Sequence, residues 1–172
     1  MSTILSRLQL RIMKFEVIIA SMLIFLPLIL IFIDGKLRPS ISNYYYMDSN
    51  HWFVSLLTIA SLLFVVNGVV NNKKSHNILL GSFLWLVAMT PHLETPIIHT
   101  LSAGIFFLGS VFVMIYYSNK EQRGLMCAFG SLTILGLLGH FILNAYSLFW
   151  AEWIGLLPIS IHFIGESLGK IK

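Results

Sequence analysis

Six histidines, a few carboxylates and several serines lie within or beside the long apolar runs of this sequence. His99, His140 and Glu152, with His92 or His162, have the donor chemistry of a zinc centre. Imidazole nitrogen and carboxylate oxygen suit that ion, and three protein ligands leave a position for water or substrate. Ser42 or Ser102 could bind or polarise a substrate carbonyl, with Glu152 as ligand or base. The reaction would then be lipid hydrolysis or acyl transfer. The spacing does not force this, because no H-E-x-x-H or H-x-x-x-H run occurs. The plainer reading is that these groups bond between helices or sit at an interface, or that Ser42, Tyr45 and His99 hold a lipid headgroup. A polar group at membrane depth costs a few kcal/mol unless it is paired, so each needs a partner or a task.

The elements that must carry these residues are transmembrane helices. The chain of 172 residues is 57% hydrophobic and 10% charged, whereas soluble domains carry about a quarter charged residues. Apolar runs near the length needed to cross the hydrocarbon core are predicted at about 15–33, 52–70, 78–90, 97–117, 124–145 and 147–168. The third is short and ends at Pro91; if it only re-enters, the count is five. Pro27 and Pro158 lie inside the first and sixth, and Pro96 suits the first turn of the fourth. The fold class is therefore all-α, a six-helix membrane bundle. Residues 1–14 form a cytoplasmic leader, interfacial or solvated, and 169–172 a short tail.

Orientation follows from the cations. Arg7, Arg11, Lys14, Lys73, Lys74, Lys120, Arg123, Lys170 and Lys172 fall on one side, and only Lys36 and Arg38 on the other. The side rich in Lys and Arg is cytoplasmic by the positive-inside rule, which places both ends inside. The basic residues punctuate the apolar runs and form no patch, so nucleic acid is not an expected partner. The first run ends at Phe32-Ile33-Asp34-Gly35 without a small-residue cleavage pattern and reads as a retained helix.

The remaining polar and small residues have structural expectations. Tyr44-Tyr45-Tyr46, Trp52, Trp150 and Trp153 read as interfacial aromatics, and Asn67 as a hydrogen bond between helices. Asn144 falls one helical turn after His140. Glu16 would answer Lys14 or Arg11, and Glu166 would pair with Lys170 or serve as a proton-coupled group. Cys127 reads as helix packing. Gly124-x-x-x-Ala128 and Gly165-x-x-x-Gly169 have the spacing of close helix contacts, and Gly130, Gly136 and Gly139 thin the fifth helix.

Three stretches carry a resemblance. Leu37-Arg38-Pro39-Ser40-Ile41-Ser42-Asn43-Tyr44-Tyr45-Tyr46, with Phe53-Val54 after it, resembles the start of an uncharacterised group of bacterial six-helix membrane proteins. Ile98-His99-Thr100-Leu101-Ser102-Ala103-Gly104-Ile105-Phe106-Phe107 resembles that group's histidine-led fourth helix. Trp150-Ala151-Glu152-Trp153 resembles the Trp-x-Glu before its last helix. Together they span most of Leu37 to Gly169. The group's Arg-Asp pair after the tyrosines is replaced here by Ser49-Asn50-His51-Trp52, so no role for that pair carries over. More distantly, the Ile-Ser loop and the His-led helix are similar to the DRAM/Sfk-type membrane family. The resemblance implies a six-helix fold and no established reaction, and it marks Ser42, Tyr45, His99 and Glu152.

Three functions compete on these residues. The first is a non-enzymatic membrane protein with a structural or headgroup-binding outer cluster. The second is a metal-dependent intramembrane hydrolase or acyltransferase, for which the CREST hydrolases are the nearest model. Those have seven helices and a paired histidine motif in the last, against six helices and the single His162 here. The third is a small transporter or an oligomeric pore. Membrane lipid is the expected partner, homo-oligomers are open, zinc is the one cofactor considered, and a bacterial inner membrane is the expected location.

Overall fold

The computed structural model describes the backbone of residues 2–70 and 75–171, and the side chains of residues 17, 18, 20–69 and 75–171. The interfacial face of the leader, the Glu16 pairing and the loop lysines Lys73 and Lys74 lie outside the described side chains. Six α-helices follow one another: α1 (Ser2–Asp34), α2 (His51–Val70), α3 (Ser75–Met89), α4 (Pro96–Tyr116), α5 (Arg123–Phe141) and α6 (Leu148–Ser167). A short 3-10 helix, Ser42–Tyr46, stands between α1 and α2. Four of the helices, α2, α4, α5 and α6, are long and apolar enough to cross a membrane; α3 and the Ala20–Asp34 part of α1 are shorter apolar helices.

Each helix packs on the next, α6 closes on α1, and α6 also meets α4. The centre is aromatic. The Phe64 ring of α2 lies 4.0 Å from that of Phe163 and 5.5 Å from that of Phe106, centre to centre. Close approach depends on missing side chains, as Gly81 and Gly136 illustrate. A Cβ at Gly81 would stand 2.7 Å from the Ser61 carbonyl of α2, and one at Gly136 would stand 2.7 Å from the Ile154 side chain of α6. Gly124 has nothing within 4 Å of that position, so its GxxxA motif marks no contact inside the chain. The outward faces stay apolar: Phe32, Leu135, Phe112 and Leu138 are all exposed. A coat of this kind suits hydrocarbon, because a water-soluble monomer rarely presents large continuous apolar patches.

The two internal prolines do the same thing. A proline lacks an N–H and its ring pushes on the preceding turn, which loosens the carbonyls three and four residues upstream. Three residues before Pro27, the Ile24 carbonyl accepts from Trp153 Nε1 of α6 at 3.0 Å. Three residues before Pro158, the Gly155 carbonyl accepts from Thr133 Oγ1 of α5 at 3.3 Å. Each loosened carbonyl thus becomes a bond between helices. Asn67 does the same with side chains, accepting from Asn77 Nδ2 of α3 at 2.8 Å.

Helix ends depart from the sequence reading. α1 begins at Ser2, so the leader's backbone continues the first helix. α5 stops at Phe141, four residues short of the predicted Ala145, because the apolar Ile142 and Leu143 hid the boundary. Asn144 is therefore past the helix, at φ 47°, a conformation Asn tolerates at helix ends. Its N–H still bonds the His140 carbonyl at 3.2 Å, so the two residues stay one helical turn apart although the helix has ended. Gly169, at φ 68°, closes α6, with Gly169 N–H on the Glu166 carbonyl and Lys170 N–H on the Gly165 carbonyl. Cys127 is exposed on α5 and does not pack between helices.

Candidate functional site

The long loop after α1 is built outward from the chain reversal at Gly35. Arg38 folds back onto Asp34, Nε to Oδ2 at 2.6 Å and Nη2 to Oδ1 at 3.0 Å. This two-pronged bond raises the pKa of the Arg38 guanidinium further. The guanidinium also lies 5.8 Å from the centre of the Tyr44 ring. Tyr44 is fully buried, its hydroxyl donating to the Lys36 carbonyl at 3.0 Å. Burial pushes its phenol pKa up. Tyr44 is thus core and not an interfacial aromatic. Tyr45 packs edge-on against Phe53. The Tyr46 hydroxyl accepts from the Leu93 N–H at 2.9 Å and ties the loop to the α3–α4 turn.

Serines and a glutamate hold the 3-10 helix in place. Ser40 Oγ accepts from the Asn43 N–H and from Asn43 Nδ2, both at 3.1 Å, and so ties down its first turn beside the Ser40 carbonyl, which shares the same N–H at 3.2 Å. Glu152, one turn into α6, accepts from the Ile41 N–H at 2.5 Å and from Ser42 Oγ at 3.4 Å. The Pro39 carbonyl in return accepts the Phe149 N–H at 2.8 Å, one of the first-turn donors α6 cannot satisfy itself. The Pro-Ser-Ile-Ser motif and the Trp-x-Glu motif are two halves of one joint between loop and α6.

Beside this joint lies a cavity of about 740 Å³. Its walls follow helix periodicity. On α4, His99, Ala103 and Phe107 form one row of residues four apart, and Thr100, Gly104 and Leu108 form the next. On α5, Leu137, His140 and Phe141 share a face, as Leu148 and Glu152 do on α6. The loop adds Ser40, Ser42 and Asn43, and the α3–α4 turn adds His92. The polar groups gather at the loop end, and Gly104, Phe107, Leu108 and Leu137 line the rest. The rim includes Leu108 and Phe141, 57% and 65% exposed on the apolar surface of the bundle. A smaller cavity of about 40 Å³ shares Ser42, His99, Ala103, Phe107 and Glu152 with it.

Two of the histidines have fixed tautomers. His99 Nδ1 lies 2.7 Å from the Thr90 carbonyl and His140 Nδ1 lies 2.8 Å from the Tyr146 carbonyl. A carbonyl only accepts, so Nδ1 carries the proton in both rings. In the neutral imidazole Nε2 is then the bare acceptor. His92 sits between Tyr46 and His99, its ring centre 5.2 Å and 5.7 Å from theirs. Its Nδ1 is buried without a partner, and desolvation lowers its pKa.

The predicted residues therefore divide. Ser42, His92, His99, His140 and Glu152 line one cavity. Ser102 is buried off its walls, Tyr45 faces Phe53, and His162 Nδ1 lies 3.2 Å from Met126 Sδ. The described residues contain no group of three or more His, Cys, Asp or Glu disposed to hold a metal ion. Asn43, Thr100 and Gly104 were not anticipated, although the repeat of four from His99 to Phe107 is a readable signal for the α4 wall. A family model described as a family of unknown function, DUF7103, matches residues 25–167. That agrees with an uncharacterised group and lends no support to a DRAM/Sfk-type relationship. No curated protein and no solved structure matches the chain.

Proposed function

The chain belongs to the DUF7103 family, and since that membership carries no known reaction, we propose a function from the geometry alone. The protein is a six-span protein of a bacterial inner membrane, with both ends cytoplasmic, whose outer cavity binds a membrane lipid by its head and upper chain. One observation carries the reading: a cavity of about 740 Å³ is polar at the loop end, apolar below, and rimmed by exposed Leu108 and Phe141. Binding sites are typically concave and mostly apolar, with a few convergent polar groups that set orientation. The topology rests on the cation asymmetry, with α3 and α1 completing the six spans.

Gly104→Phe tests the reading. A Cβ there meets nothing within 4 Å, so a large side chain enters the cavity and leaves the helix contacts alone. Native mass spectrometry of protein released from mild detergent is expected to show about one retained lipid per wild-type chain and none in Gly104→Phe at unchanged thermal stability. Equal lipid retention in both proteins would sink the proposal.

A second reading, a lipid hydrolase or acyltransferase, is favoured by the smaller cavity of about 40 Å³ shared by Ser42, His99 and Glu152. Its size suits a water molecule, which needs only one probe sphere of space and two or more polar partners. Elemental analysis of protein never exposed to chelator decides the metal form of this reading: about one zinc per chain, lost in His99→Ala and Glu152→Ala, would move it first. A zinc-free protein that turns over no ester lipid would remove it.

A further inference from the structure

The lipid reading leaves the head unnamed, and the cavity's donor and acceptor inventory narrows it. Its polar wall is rich in acceptors. His99 and His140 each present a bare Nε2, because their Nδ1 protons are held by the Thr90 and Tyr146 carbonyls. Glu152 adds carboxyl oxygens and Ser42 and Asn43 add side-chain oxygens, while Ser40 Oγ is already taken by Asn43. No lysine or arginine is among the described residues lining the cavity. Of the two cations near that end, Arg38 is engaged by Asp34, and Lys36 is exposed.

This inventory is wrong for a phosphate. A phosphate brought out of water needs cationic or multiple N–H partners, and the usual solution is an Arg, a Lys or a run of backbone N–H groups. Here the nearest backbone donors are already used: the Ile41 N–H by Glu152 and the Asn43 N–H by Ser40. A phosphate would bring its charge to this end with no cation among the described lining residues to answer it. A head that donates hydrogen bonds and carries no phosphate finds an acceptor in each direction.

Resting on the lipid-binding reading, we infer that the cavity selects a hydroxylated, phosphate-free lipid head, the chemistry of mono- and diacylglycerols. The hydroxyl protons go to His99 Nε2, His140 Nε2 and Glu152, and the upper acyl chain lies along Gly104, Phe107, Leu108 and Leu137.

The test compares dioleoylglycerol, dioleoylphosphatidylglycerol and dioleoylphosphatidylethanolamine, equal in chains and different in head. Each is titrated into full-length protein in a nonionic detergent, and the bound fraction is read by native mass spectrometry. Dioleoylglycerol is expected to bind about tenfold or more tightly than either phospholipid, a factor that corresponds to about 1.4 kcal/mol. His140→Phe removes one acceptor without touching the Glu152 joint, and is expected to narrow that ratio in protein that stays folded, with a modest loss of thermal stability because the bond to the Tyr146 carbonyl goes with it. If a phospholipid binds as well as or better than dioleoylglycerol, the head assignment is overturned and the lipid site survives. If no lipid binds to folded wild-type protein, the lipid reading itself falls and takes the inference with it. A ratio unchanged in His140→Phe would show that the selectivity arises elsewhere, and would overturn the assigned acceptors.

Discussion

Two hollows of almost equal size flank the α4–α5 seam and share Leu108. The cavity at the loop end, the outer one in the proposed orientation, measures about 740 Å³, and the groove toward Arg123, the inner one in that orientation, about 770 Å³. The inner groove is lined by Val111, Phe112, Ile115, Tyr116, Ile134 and one cation, Arg123. The outer one brings three histidines, a glutamate and loop oxygens to one end. Volume therefore does not distinguish a site from a gap between helices. What differs is convergence: polar side chains from α4, α5, α6, the loop and the α3–α4 turn meet in one hollow and not in the other. Convergence from five places is costly in a membrane unless partners or ligands answer it.

The sharpest way to break this comparison is to remove one polar group from each hollow. Glu152→Ala orphans the Ile41 N–H and frees the loop from α6. An unsatisfied buried donor costs about 1–3 kcal/mol, so thermal or denaturant unfolding should show a loss of at least that order. Arg123→Ala, on an exposed residue of the inner groove, should stay within about 0.5 kcal/mol. Equal losses from the two would erase the distinction. A smaller effect is expected for Ser40→Ala, which deletes the two side-chain bonds from Asn43 and leaves its N–H only the Ser40 carbonyl at 3.2 Å. Loss of a hydrogen bond of this kind costs about 1 kcal/mol, and hydrogen exchange should quicken at Asn43 while the bundle stays protected.

Much of this was legible before the structure. The six helices follow from apolar length, and Pro96, Pro27 and Pro158 fall where their chemistry allows. Asn67 does bond between helices. The part that was not legible depends on contacts between distant segments. Glu152 reads from the sequence as a metal ligand or base, or more plainly as an interhelical or interfacial group, because nothing in its own helix shows the loop it caps, 110 residues away in sequence. Tyr44 looked like its neighbours Tyr45 and Tyr46, and only the Arg38–Asp34 fold puts it in the core. The end of α5 was missed because Ile142 and Leu143 are apolar yet exposed. Hydropathy does not distinguish exposed apolar turn residues from helix.

The loop end also carries an acid response, set by His92. Desolvation lowers the pKa of His92 below its ordinary value of 6.5. Between the lowered folded value and the unfolded one, the unfolded chain binds more protons, so stability rises with pH in that window. Stability is then full above about pH 6.5 and falls as the pH drops toward the folded value. His92→Gln should flatten that fall, read as thermal stability from pH 7.5 to 5. A fall of the same depth in the variant would place the titrating group elsewhere.

The smallest expected effect concerns the outward face of α5. A Cβ at Gly124 meets nothing within 4 Å, and Leu125, Cys127 and Leu132 are also exposed. If the chain works alone in the bilayer, Gly124→Leu adds an apolar side chain to a lipid-facing surface and leaves stability within about 0.5 kcal/mol. If a second copy packs its helix against Gly124 and Ala128, the same change forces the two backbones apart, since such interfaces depend on small residues. Cross-linking and sedimentation in detergent separate the cases. An oligomer in wild type that dissociates in Gly124→Leu would assign this motif to a contact between chains. A monomer in both would leave the glycine as part of the lipid face, with the outer cavity complete in one chain.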